Sequence, residues 1–229
     1  KKNSTFSSSF ISFPKDINIT SLYYNQKLFS NYYNYFNLNI INYGEFEDSE
    51  SNYNFSAKDI ILKNNTTTMI IDSLYLCIGW NYINSHIADY TSSAFTIKTA
   101  LSYHFKNFLF TSSINNYGFI INRYSNFDES LPTYSNISLM YLPKYINSSI
   151  FINYDFFDSY NIFNIFLELF LNKNYTISIG YNSLAYKLYS DNFNANFFTG
   201  ISLGFNINYK DYMINFGIKN LGTIGVIQA

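Results

Sequence analysis

From Ile201 to Tyr209 the chain reads Ile201, Ser202, Leu203, Gly204, Phe205, Asn206, Ile207, Asn208, Tyr209. Every odd position is large and apolar, and every even one is small or polar. Side chains alternate between the faces of a β-strand, so this stretch predicts a strand with one greasy and one polar face. Working outward, the same alternation sets Leu74, Leu76, Ile78, Trp80 and Tyr82 against Tyr75, Cys77, Gly79 and Asn81. It sets Ile97, Leu101, Tyr103 and Phe105 against Lys98, Ala100, Ser102 and His104. Tyr175, Ile177, Ile179 and Tyr181 oppose Thr176, Ser178, Gly180 and Asn182, and Tyr212, Ile214, Phe216 and Ile218 oppose Met213, Asn215 and Gly217. No comparable stretch has a helical period.

A β-sandwich with one face in its core would alternate in the same way. Two features weigh against it. The polar faces carry little charge and many Gly, Ser and Asn residues, as a confined, hydrated interior would. Several strands also run to about 9–11 residues, the length that crosses a bilayer at a tilt, against about 5–6 for an ordinary globular strand.

Strands are expected near 5–13, 17–27, 32–43, 54–63, 73–83, 93–105, 108–117, 134–142, 148–156, 162–171, 175–184, 197–209 and 212–220. Tight turns are expected at Lys106-Asn107, Pro143 to Asn147, Asn172 to Asn174 and Lys210-Asp211. Between them fall longer polar connections, Gly44 to Tyr53, Asn84 to Ser92, Gly118 to Thr133 and Ala185 to Asn196. Phe157 to Asn161 is shorter than its partners. Short and long connections thus take opposite ends of an up-and-down meander, as the turns and loops of outer-membrane barrels do. The expected fold is an all-β, antiparallel up-and-down transmembrane β-barrel, a single domain over residues 1–229 in the bacterial outer membrane. The odd strand count conflicts with the even number of single-chain bacterial barrels, so about 14 strands are expected, with one missed or absent at a terminus.

Composition bounds the rest. Of 229 residues, 48% are hydrophobic and only 13% charged, against about 25% charged in a soluble domain. Aromatics reach 21%, with 24 Tyr and 24 Phe, residues that favour strands. An AT-rich genome would enrich Asn, Ile, Tyr, Phe and Lys in any fold, so composition alone does not separate a membrane barrel from a biased soluble β protein. A net charge of −1 supplies no basic field for nucleic acid. The single Cys77 excludes an intrachain disulfide and a cysteine zinc cluster. The most apolar run, Ile162 to Leu171, is too short for a membrane helix, which needs about 20 residues. Lys1 and Lys2 lead into Ser and Thr rather than an apolar signal segment, as in a mature chain or a fragment.

Chemistry-bearing motifs are sparse. His86 and His104 are the only histidines, and they read as solvated polar residues rather than metal ligands, which come in convergent sets. Glu45, Glu47, Asp48 and Glu50 lack the Asp/Asn-Gly spacing of a calcium loop and read as a solvated loop. There is no Gly-x-Ser-x-Gly elbow, phosphate loop or dinucleotide fingerprint, so no enzyme activity and no cofactor are expected. Asn-x-Ser/Thr triplets at Asn18, Asn136 and Asn174 fall on or beside strands, where a glycan would not fit. Lys98 and Glu168 are the charges placed most clearly within strands, Lys98 on a face with Ser102 and Glu168 with Asn164. If the apolar faces meet lipid, Lys98, Ser102, Asn164 and Glu168 line a lumen, because a lysine at the bilayer midplane would cost about 2–4 kcal/mol.

Several stretches resemble the PorQ/PorV class of Bacteroidetes outer-membrane proteins, which belong with the FadL-like (fatty-acid-transporter-like) barrels. They are Ile41 to Leu62 (INYGEFEDSESNYNFSAKDIIL), Ile78 to Phe105 (IGWNYINSHIADYTSSAFTIKTALSYHF), Ile114 to Pro132 (INNYGFIINRYSNFDESLP) and the terminal FGIKNLGTIG, in that order. The first and third look nearest to PorQ. The resemblance spans roughly residues 17–227 and carries no catalytic motif. It implies a non-enzymatic accessory of type IX protein secretion or surface attachment, with outer-membrane lipid and other secretion components as partners. A FadL-like or porin-type channel for small or hydrophobic solutes is the alternative.

Overall fold

The computed structural model describes residues 4–13, 16–29, 31–48, 53–124, 130–184, 199–210, 212–220 and 225–228. Fourteen strands follow one another in chain order: β1 (Ser4–Ser12), β2 (Asn18–Phe29), β3 (Tyr32–Asp48), β4 (Tyr53–Ile71), β5 (Leu74–Ile87), β6 (Tyr90–Phe105) and β7 (Phe108–Asn122). Then come β8 (Tyr134–Tyr141), β9 (Ser148–Phe157), β10 (Asn161–Phe170), β11 (Tyr175–Asn182), β12 (Ile201–Tyr209), β13 (Tyr212–Asn220) and β14 (Gly225–Gln228). Neighbours in sequence are neighbours in the sheet, which closes as a barrel. All-β, antiparallel and up-and-down is therefore what the alternation predicted. Closure leaves no open strand edge, whose unpaired backbone groups would cost several kcal/mol each in lipid. The strand that the sequence reading lacked is β14, four residues paired with β13 from Gly217↔Gln228 to Asn220↔Gly225.

The chain packs as two compact units, residues 1–101 with 113–134, and residues 102–112 with 135–229. In the second, the opening stretch behaves as its pattern requires. Leu203 is 58% exposed and Phe205 38%, while Ser202, Gly204 and Asn206 are more covered. Across the pairings the covered face runs Glu168–Ser178–Gly204–Gly217 in one row and Phe166–Gly180–Ser202–Lys219 in the next. A Cβ on Gly180 would stand 2.4 Å from Cδ1 of Phe166, so the glycine makes room for that ring.

In the first unit the expected boundaries move. The polar connection Gly44 to Tyr53 is largely strand, since β3 continues to Asp48 and pairs Glu45↔Ser56 through Asp48↔Tyr53. A bulge between Asn42 and Glu45 holds Gly44 at φ 81°, with the Asn42 Oδ1 accepting from the Gly44 amide at 3.1 Å. One extra residue inverts the alternation, so a reading based on period two stops there. Asn116, at φ 58°, has the same effect on β7: Phe110, Ser112 and Ile114 are exposed before it, and Tyr117, Phe119 and Ile121 after it. The connection Gly118 to Thr133 accordingly starts at Arg123 rather than at Gly118. Asn84 to Ser92 is also mostly strand, with the turn reduced to Ala88-Asp89 and Ala88 at φ 51°. Residues 64–71, outside the expected strands, extend β4 through a Thr-rich run that suits a strand. The connection Ala185 to Asn196 lies outside the described residues.

The other end keeps its tight turns. Ser73, Lys106 and Lys210 take left-handed φ of 68°, 52° and 53° there. At the β10–β11 turn, Asn172 Oδ1 accepts from the amides of Asn174 (2.7 Å) and Tyr175 (3.0 Å), which fixes a reversal that the Asn-rich sequence announces.

Candidate functional site

The covered face gathers the polar residues, and each unit does so differently. In the first, register places Asn37, Lys63 and Asn81 side by side on β3, β4 and β5. Directly opposed residues share a face, so all three point the same way. Asn37 is 2% exposed and donates to Leu22 O at 3.2 Å and Asn39 Oδ1 at 3.0 Å. Asn81 donates to Thr96 Oγ1 at 2.9 Å, which brings β6 into the row. Thr96 is fully buried, and Lys98 follows it on the same face. Further along β4, Asp59 accepts from Tyr43 Oη at 2.7 Å and from Ser85 Oγ.

In the second unit the centre is a carboxylate among amides. Asp155 accepts from Asn136 at 2.6 Å, Asn153 at 2.9 Å and Asn164 at 3.3 Å. Asn182 in turn donates to Asn164 Oδ1. Register explains the convergence: Asn153↔Asn164↔Asn182 form one inward row across β9, β10 and β11, with Asp155 one inward step along β9. Amide donors at this density hold a charge away from bulk water without a counter-cation. Glu168 accepts from Ser149 Oγ at 2.8 Å. Beside it opens a cavity of about 490 Å³ at the tight-turn end, lined by Glu168, Phe170, Thr176, Asn206 and Met213 among others.

The four residues singled out in the sequence thus sit on the covered face. Ser102 shares a hydrogen bond with Thr111 at 2.9 Å, Asn164 is buried in the Asp155 network, Glu168 walls the cavity and Lys98 is half-buried. They do not form one constellation. Asp155 and Lys63 were not singled out, although the alternation held a signal for Asp155: Asn153 and Asp155 interleave with Ile152, Tyr154 and Phe156. Lys63 lies where the expected fourth strand ended.

His86 is exposed, with its Nδ1 2.6 Å from Thr91 Oγ1, and His104 is exposed on β6. Glu45 and Glu47 are exposed on β3, while Glu50 lies outside the described residues. Among the described residues no three His, Cys, Asp or Glu side chains converge as a metal site would require.

A closed antiparallel barrel with an apolar exterior and a polar interior belongs to the architecture of membrane-spanning barrels. Two solved structures share it across nearly the whole chain. The toluene transporter TodX of Pseudomonas putida superposes with a TM-score of 0.60 at 8% identity, covering 98% of this chain and 84% of that one. The TodX deltaS2S3 mutant, a monoaromatic hydrocarbon channel, does so with a TM-score of 0.61 at 10% identity, covering 100% and 88%. At these identities the likeness is one of fold. No protein-family model and no curated protein matches the chain. Neither structural likeness bears on type IX secretion.

Proposed function

We propose that this chain is a non-enzymatic outer-membrane barrel, a single domain, that passes small or hydrophobic solutes as FadL-like and porin-type channels do. The observation that carries the reading is the reversal of polarity across one closed wall. Large apolar side chains such as Leu203, Ile218 and Phe119 cover the outside, while Asn, Ser, Thr and a few charged groups fill the inside. A wall of that kind suits lipid without and solute within. In this reading Lys98, Ser102, Asn164 and Glu168 line the lumen. The cargo named for the two structural neighbours, toluene and monoaromatic hydrocarbons, favours a hydrophobic solute.

Reconstitution into liposomes tests it. Swelling in small-solute gradients and faster toluene entry than in protein-free vesicles are expected. Vesicles that hold folded barrel yet admit neither class of solute would overturn the reading. A second reading, a PorQ-like accessory of type IX secretion, is favoured by the ordered series of resembling segments between Ile41 and the terminal FGIKNLGTIG. Co-purification with secretion components, together with absent flux, selects it over the channel.

A further inference from the structure

We propose that Lys63 and Lys98 form a cradle for a phosphate-type oxyanion on the inner face of the barrel. The two lysines rise from β4 and β6, on either side of β5. Strands lie about 4.8 Å apart, so their backbones are separated by roughly 10 Å, a gap that two four-carbon stems readily close around one small anion. Both side chains are half-buried, and their charges repel each other. Among the described residues neither lysine has a carboxylate partner.

The nearest acid along β4 is already engaged, since Asp59 takes hydrogen bonds from Tyr43 and Ser85. Two amides beside the pair are also committed. Asn81 Nδ2 is turned to Thr96 and to Asn116 Oδ1 at 3.5 Å, and Asn37 Nδ2 to Leu22 O and Asn39. The Asn65 amide lies over Gly79, where a Cβ would stand 1.9 Å from its Oδ1, and that buried oxygen has no hydrogen-bond partner among the described residues. The row is thus a polar floor from which two ammonium groups stand up with nothing of opposite sign beside them among the described residues.

Two like charges taken out of bulk water and left uncompensated are costly, and charged groups within a membrane-spanning wall usually mark a solute path. An anion removes the repulsion and supplies the missing acceptors. A phosphate-type group fits better than a halide, because several oxygens can accept from both ammonium groups at once. The second unit's charges are arranged otherwise. Asp155 is held by three amides, and Lys219 stands in a row with Ser202, Gly180 and Phe166 that holds no second lysine.

The test is calorimetric titration of the folded full chain in detergent with inorganic phosphate, ionic strength being held constant with chloride. Saturable binding is expected. Lys63→Gln and Lys98→Gln should each weaken it by about tenfold or more, the loss of one charge-assisted contact, and the double variant should abolish it. Lys219→Gln should leave it unchanged. Absence of saturable binding in the unaltered chain, or undiminished binding in the double variant, overturns the proposal.

Thermal melting without phosphate separates lost binding from lost folding. Freed of repulsion, the single variants should melt at or above the parent, and melting clearly below it counts against an uncompensated pair. Titration with glycerol phosphate distinguishes the source: equal affinity supports a phosphate group carried on a larger molecule, and binding of inorganic phosphate alone supports the free ion. The titration involves no transport. Phosphate binding without solute flux would sink the channel reading and leave the cradle standing, and flux without binding would do the reverse.

Discussion

Strands β3 to β7 run for 14–19 residues, whereas β8 to β13 run for 8–10. Both sets alternate apolar and polar residues, and both reverse through tight turns at one end. The short set matches the roughly 9–11 residues that take a tilted strand across a bilayer. The long set exceeds that length, and its surplus lies away from the tight turns, where Glu45, Glu47, Lys58 and His86 are exposed. Under the proposed membrane reading, charges on the outer side there mark backbone that has left the apolar zone. Length alone would therefore overstate the membrane span, and the position of the first exposed charge locates its edge better.

Substitution on the outer face should break or confirm this contrast. Leu203→Arg, on a short strand, is expected to cost about 2–4 kcal/mol, whereas Thr91→Arg, in the surplus of β6, should cost about 0–1 kcal/mol. Urea unfolding of the barrel in lipid would read the difference, and equal costs would place both sites in one environment.

The interiors differ as well. In the second unit one carboxylate gathers three amides, while in the first the inward amides pair mostly with hydroxyls, carbonyls and one another. Asp155→Ala should therefore cost about 2–3 kcal/mol, by leaving Asn136, Asn153 and Asn164 without their shared acceptor. Ser102→Ala, whose partner Thr111 can turn to water, should cost well under about 1 kcal/mol. The same unfolding measurement checks the pair.

Glycines offer a finer comparison. In the first unit a Cβ on Gly118 would meet the Phe95 carbonyl oxygen at 2.0 Å, a backbone atom that cannot step aside. On Gly204 of the second unit it would meet Ser178 Oγ at 2.3 Å, the end of a small rotatable side chain. Gly118→Ala is expected to cost about 1–3 kcal/mol and Gly204→Ala less than that. A reversed order would mean that β6 gives way beside Gly118 more easily than Ser178 does beside Gly204. An effect of opposite sign falls at the tight turns, where Ser73→Gly should stabilise by about 0.5–1 kcal/mol, since glycine takes a φ of 68° without strain.

Much of this architecture was legible because its governing rule is local. Alternation assigns each residue to a face without reference to any distant contact, which is why Lys98 with Ser102, and Glu168 with Asn164, could each be given a common face from spacing alone. The reading failed where one residue altered the phase. Gly44 sits in a bulge and the exposed face changes phase at Asn116, while the stretch Asn84 to Ser92 holds too few large apolar residues to show an alternation. Residues 64–71 were passed over for a related reason: Asn64 and Thr66 stand on the outer side of β4 and bond to Asn34 Oδ1, so the expected apolar stripe is interrupted there. Asp155 and Lys63 matter through neighbours on other strands, and only register could supply those.

Every pairing but that of β1 with β14 joins a strand to the next one in the chain, from Ser4↔Gln26 in the first hairpin to Asn220↔Gly225 in the last. Such a wall needs little search through chain space. Each hairpin closes a short loop, at an entropic cost that grows only slowly with its length, and then offers an edge on which the following strand can settle. Assembly can thus proceed as a zipper, and one long-range event, the meeting of the first strand with the last, is left to set the pace.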